Sequence, residues 1–211
     1  MSDLTIPSDG SEMSDLTLRE SDVYAETPEL HERIDRIGFW LVGGATVMFF
    51  FSFVFAYFYL RSLDSNGLWR PAGVDPPTAY GILIAAALAL SALAFLYAAR
   101  VARQRGRGWG LPSGVALLLG LFACVAQAVE YAHIPFGPQS GGYASVFFGW
   151  TVFYVVIALI SLYRVEVAFA AALRARGEED GAVPEGLTPA AVYWAFVAGL
   201  GVLSWIILYL V

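Results

Sequence analysis

FWLVGGATVMFFFSFVFAYFYLR, residues 39–61, decides the fold. From Phe39 to Leu60 no residue is charged, and the run matches the ~20 helical residues that cross a ~30 Å hydrocarbon layer. Seven of these 22 residues are phenylalanine. So bulky a surface suits lipid or a large apolar partner, with Trp40, Tyr57 and Tyr59 near its ends as interfacial anchors. Composition extends the conclusion outward. At 58% hydrophobic, 15% aromatic and 14% charged residues, a chain of 211 residues is too apolar to hide its side chains in one soluble core.

Four further segments are long and apolar enough to span, at 78–99, 111–129, 143–163 and 190–211. Backbone polar groups find no water in lipid, so the segments must be helices. The expected fold is all-α, an integral membrane bundle of five transmembrane helices over 35–211, behind a flexible acidic tail over 1–34. Proline and glycine mark the breaks at 69–77, 100–112, 135–142 and 177–189. The fourth helix is expected to project beyond the bilayer through Arg164 and Glu166.

Charge is unevenly placed. Residues 1–36 hold ten carboxylates against Arg19, Arg33 and Arg36, a balance of −7, while the rest of the chain sums to +1. The net −6 therefore belongs to the tail and argues for no nucleic-acid partner. The tail repeats itself (MSDLTIP, then MSDLTLR from Met13) and lacks the basic and apolar regions of a signal peptide. Lysine is absent. Of twelve arginines, ten (Arg19, Arg33, Arg36, Arg100, Arg103, Arg105, Arg107, Arg164, Arg174, Arg176) lie in the tail, the second loop or the fourth loop, and only Arg61 and Arg70 lie on the other side. The positive-inside rule puts the N-terminus in the cytoplasm and the C-terminus outside.

The chain offers little chemistry of its own. His31 and His133 lie on opposite sides of the membrane, Cys124 is the only cysteine, and neither a haem ligand pair nor a copper site can be assembled. No phosphate loop follows a strand, and no nucleophile, base and orienter come together, so no catalytic residue and no metal site is expected. No ionisable residue lies near the centre of a span, which disfavours a proton-coupled transporter. Thr46, Ser52, Ser91 and Ser161 are expected to bond a backbone carbonyl one turn back. On the last helix Ala191, Ala195 and Gly199 recur every four residues, a small-residue stripe suited to close helix packing within the bundle or against another subunit.

One polar group stands out in QAVEYAHIPF, 127–136. Gln127 and Glu130 share a helix face, which His133 would continue if the helix ran one turn further. A metal site would have one histidine and one carboxylate only. The other readings are a proton carrier and a structural anchor. As an anchor, Glu130 would accept hydrogen bonds from backbone amides of the 135–142 loop, or from a partner's side chain, because a buried unpaired charge is costly.

Several blocks together carry a family resemblance. They are the 39–61 run, Trp69 with the proline-rich loop, QAVEY (127–131), YASVFFGWT (143–151) and YWAFV (193–197), in order and in register. This pattern resembles subunit III of haem-copper terminal oxidases in its five-helix form. The resemblance covers about 35–211 and keeps Gln127, Glu130, Tyr131, Ser145 and Thr151. The chain departs from the family at Thr46, where a carboxylate is usual, at Tyr154 and Ile157, where histidines are usual, and at Ala195 and Ala198, where a histidine and an aspartate are usual.

The resemblance implies a non-catalytic accessory subunit of a respiratory, proton-translocating, oxygen-reducing complex in a prokaryotic cytoplasmic membrane. It packs beside the haem-copper catalytic subunit I and the other oxidase subunits, and holds phospholipid. Haem and copper belong to the partner and not to this chain. Gln127, Glu130, Tyr131, His133, Trp40 and Arg61 are then the candidate structural, lipid or subunit contacts. In this family protons enter from the cytoplasm, which disfavours Glu130 as a carrier. Alternatives are the equivalent subunit of a nitric oxide reductase complex and an unrelated scaffold or pore.

Overall fold

A computed structural model of the chain describes residues 28–64, 66–104, 108–175 and 186–211, except the side chains of 28–33, 35, 36 and 175. Of the tail expected over 1–34, residues 1–27 lie outside that description while 28–34 belong to the first helix; Arg105, Arg107 and Arg176 and the side chains of His31, Arg33 and Arg36 also lie outside it. The described residues form five helices: α1 (Pro28–Ser62), α2 (Thr78–Arg103), α3 (Gly110–His133), α4 (Gly142–Ala175) and α5 (Leu187–Trp205), the last continuing as a π-helical turn, Ile206–Leu210. All five contain a stretch long and apolar enough to cross a membrane. The chain is thus an all-α, multi-pass membrane protein. As expected, α4 runs past Arg164 and Glu166.

Met1–Val47 and Met48–Val211 form two separate units. In the first, α1 holds Thr46, whose hydroxyl donates to the Val42 carbonyl at 2.8 Å. Trp40 is 70% exposed and meets Phe39 edge-on.

In the second unit α2, α3, α4 and α5 close a four-helix ring: α2 packs on α3 and α5, and α4 on α3 and α5. The C-terminal part of α1 lies along α4 through rings, with Phe53 stacked on Trp150 (5.9 Å, 19°) and Phe49 against Phe153 at 4.9 Å. Ring pairs of this kind contribute about 0.5–1.5 kcal/mol beyond the area they bury. The opposite face stays uncovered by the described residues, Met48, Phe51 and Phe55 being 61–73% exposed. Tyr59 is exposed as well, but Tyr57 is 1% exposed and sits edge-on to Trp69 at 5.2 Å. It is a core residue and not an interfacial anchor, because the loop after α1 folds back over it.

Ring closure depends on one side chain that sequence assigned elsewhere. Ser91 does not bond one turn back. Its hydroxyl donates across to the Ala116 carbonyl on α3 at 2.6 Å and accepts the Trp194 indole N–H of α5 at 2.9 Å. Small residues on α2 and α3 let the helices approach closely enough for this. Ser52, Ser161 and Thr151 do bond one turn back.

The small-residue stripe also turns out differently. Ala191 is fully buried, Ala195 half-buried, and Gly199 exposed with nothing within 4 Å of where its side chain would start. Each step of four residues advances about 40° around a helix, so a row spaced by four drifts off the packed face. Within the chain α5 packs through Ala191, Trp194, Ala198 and Gly201 instead.

Candidate functional site

The polar cluster forms where α3 ends, where the α1–α2 loop crosses α4, and where α5 passes into its π turn. Steps of three residues along a helix rotate by about −60°, so Gln127 and Glu130 stay on one face while His133 has turned about 120° from Gln127. Gln127 and Glu130 are accordingly buried, Glu130 completely. His133 is exposed, with Nδ1 2.8 Å from the Val129 carbonyl and its ring stacked beside Tyr80 at 5.9 Å. The structure therefore separates His133 from Glu130.

Glu130 accepts two hydrogen bonds, from Gln127 Nε2 to Oε2 at 2.7 Å and from the Tyr209 hydroxyl to Oε1 at 2.6 Å. Of the expected donors, backbone amides of the 135–142 loop, those of Gly137, Ser140 and Gly142 are committed elsewhere. Gly137 N donates to Ser140 Oγ and Ser140 N to the Gly137 carbonyl. At the start of α4, Gly142 N and Tyr143 N donate to the Leu68 and Trp69 carbonyls at 3.3 and 2.8 Å. The carboxylate is thus anchored not to its own loop but to a residue 79 positions away, on the last helix.

Neighbouring bonds fix the same junction. Tyr143 on α4 donates to the Leu208 carbonyl in the π turn at 2.7 Å. The wide π turn frees backbone acceptors of this kind, and such turns gather at functional places. Tyr131 donates to the Thr151 hydroxyl at 2.7 Å, which itself donates to the Phe147 carbonyl. Arg70 caps the cluster from the loop, pairing with Asp75 at 2.8 Å and standing 4.5 Å from the Tyr143 ring centroid. An arginine over an aromatic face adds about 0.5–2 kcal/mol according to its exposure. Gly141 permits the crossing, because its φ is +146° and a side chain there would strike Pro71 and the Leu68 carbonyl. Arg61 donates to the Val211 carbonyl at 2.7 Å, tying the end of α1 to the end of the last helix.

The cluster can hold helices in register, since the Glu130 carboxylate and the Tyr143 and Tyr209 hydroxyls are paired across helices. Among the described residues no three His, Cys, Asp or Glu side chains come together as a metal site. Sequence reading picked out Gln127, Glu130, Tyr131 and Arg61, and missed Tyr209, Tyr143 and Arg70. One signal was available for Tyr209: α3 and α5 run in the same direction, so their C-terminal ends, with Glu130 and Tyr209, must lie at the same face of the membrane.

A family model described as cytochrome c oxidase subunit III matches residues 17–211. The chain is similar to the cytochrome c oxidase subunit 3 of Cyprinus carpio, 30% identical over 190 residues that cover 87% of the chain and 70% of the relative. It is likewise 30% identical to those of Latimeria chalumnae (82% of the chain, 67% of the relative) and Rhinoceros unicornis (77% and 62%). The chain spans about two thirds of the length of these relatives.

Proposed function

The chain belongs to the cytochrome c oxidase subunit III family, and from that premise we propose that it is the structural, non-catalytic subunit of a respiratory complex that reduces O2. In that role it clamps the haem-copper catalytic subunit, which carries the haem and copper, and holds phospholipid against its apolar faces. The observation that carries the reading is the Glu130 cluster: a completely buried carboxylate whose described partners, Gln127 and Tyr209, are neutral and come from helices α3 and α5. A carboxylate so placed fixes helix ends, and nothing in its shell delivers a substrate.

Redox chemistry is left to the partner in this reading. The described histidine, His133, stacks on Tyr80 apart from any cysteine or carboxylate pair. Exposed rings along α1 and the open Gly199 on α5 are surfaces suited to lipid or to the catalytic subunit. Arg100 and Arg103 close α2, and Arg174 lies in the last turn of α4, so these cations share one end of the ring while Arg70 lies at the other. In the prokaryotic cytoplasmic membrane of this reading, that distribution supports an N-terminus inside and a C-terminus, hence Glu130, outside.

Purification through a tag on this chain tests the proposal. Haem absorbance and O2 consumption should co-purify with the tag. A haem-free preparation would overturn the reading, and a haem-containing one that reduces NO but not O2 would move it to a nitric oxide reductase.

A further inference from the structure

At the end of α3 opposite Glu130, an open groove of about 680 Å³ runs along the outside of the α2–α3 pair. Leu90, Leu93 and Tyr97 of α2 and Leu111, Val115 and Leu119 of α3 line it. Leu90, Leu93, Tyr97 and Leu111 are all more than half exposed, so the described residues leave the groove uncovered. Leu90 stands at the middle of α2 (Thr78–Arg103). From there to Arg100 the helix rises about 15 Å, which is one leaflet's share of a ~30 Å hydrocarbon layer. The groove therefore runs from mid-membrane to a mouth where α2 ends and α3 begins.

The mouth is positive. Two turns beyond Leu93, and within about 20° of it around the helix, Arg100 continues the wall of the groove toward the end of α2. Arg100 is exposed and, among the described residues, pairs with no carboxylate. No Asp or Glu occurs anywhere from Thr78 to Val129. One turn deeper the Tyr97 hydroxyl also has no hydrogen-bond partner among the described residues. At the same mouth α3 starts without a side-chain cap, which adds the partial positive charge of its first amides. Donors and positive charge thus gather at one end of an apolar channel, with no carboxylate of either helix to answer them.

We propose that this groove is a binding site for one anionic phospholipid, with an acyl chain between α2 and α3 and the phosphate at the Arg100 guanidinium and the Tyr97 hydroxyl. The site rests on the reading above, of a lipid-holding subunit with this end of the ring in the cytoplasm, where anionic lipids lie. Its volume falls within the roughly 300–1,000 Å³ of sites that enclose a ligand. A helix of another subunit fits less well. Such a helix is about 10–12 Å across and packs closely on small residues, whereas long side chains stand out along both walls here. A zwitterionic lipid would bring its ammonium group beside Arg100 with no carboxylate to meet it. The mouth therefore selects a headgroup of net negative charge.

The test uses the complex purified through this chain, exchanged into bilayers of phosphatidylglycerol and phosphatidylcholine in equal amounts and extracted again in mild detergent. Retained lipids are counted by native mass spectrometry, and a density map is taken from the same sample. We expect lipid density in the groove with its headgroup at Arg100. Arg100→Gln should weaken retention of phosphatidylglycerol about fivefold and leave phosphatidylcholine unchanged, and Arg100→Lys should restore the preference. A groove filled by a helix of another subunit, chain density with no headgroup at Arg100, or equal phosphatidylglycerol retention in wild type and Arg100→Gln would each overturn the site. Haem content of the same sample reports on the subunit reading by itself, so a haem-containing complex with any of those results overturns the lipid site alone. The wild-type map decides the matter even if a variant does not assemble.

Discussion

Replacing Glu130 separates an anchor from a carrier of protons. Glu130→Leu removes both acceptors and leaves the Gln127 amide and the Tyr209 hydroxyl buried without them. Each orphaned buried donor costs about 1–3 kcal/mol, but interhelical hydrogen bonds in membranes average only about 0.6 kcal/mol, because the unpacked helices also find partners. The Gln127 bond is local, within α3, and survives in an unpacked helix. The Tyr209 bond is the one that reports on assembly. For that one bond the two figures set a loss of about 0.6–3 kcal/mol, roughly 3- to 140-fold in the equilibrium between packed and unpacked ends. Glu130→Gln retains an acceptor for Tyr209, and Gln127 can turn its amide to present oxygen to the new NH2 group, so this variant should lose about 1 kcal/mol or less. The assay is the amount of haem complex recovered through a tag on this chain, with turnover per haem measured on the same sample. Glu130→Leu should lower recovery and leave turnover per haem near wild type, with Glu130→Gln close to wild type in both. Full recovery of a Glu130→Leu complex that no longer turns over or translocates protons would refute the anchor and put a proton carrier in its place.

Three other outcomes follow from the same geometry. Tyr209→Phe deletes the O–H that reaches Glu130 and should cost about 1–2 kcal/mol. Combined with Glu130→Leu it should add almost nothing, and full additivity in thermal dissociation of the complex would show that the two residues do not act as a pair. Thr46→Val removes a hydroxyl that, among the described residues, bonds the Val42 carbonyl one turn back, so proton uptake by the complex should be unchanged; a large loss of pumping would show that the hydroxyl works through water. A reporter fused after Val211 should be active only outside the cytoplasm, and cytoplasmic activity would reverse the orientation and the outer placement of Glu130.

Sequence by itself determined what depends on counting along the chain. Charge-free runs of about 20 residues can only be helices in lipid, so the five spans, the long α4 and the class of fold were legible. The 3.6-residue period placed Gln127 and Glu130 on one face, and the block order carried the family. Tertiary structure decided what depends on distance across the ring. Glu130 meets Tyr209 because α5 returns beside α3, and Ser91 meets Ala116 and Trp194 because three helices converge there. Tyr57 became core because the loop carrying Trp69 folds over it. A helix satisfies its own backbone, so sequence periodicity reports which way a side chain faces. The partner it finds on another helix depends on how far that helix is rotated and raised, and those two quantities are set only when all the helices pack together.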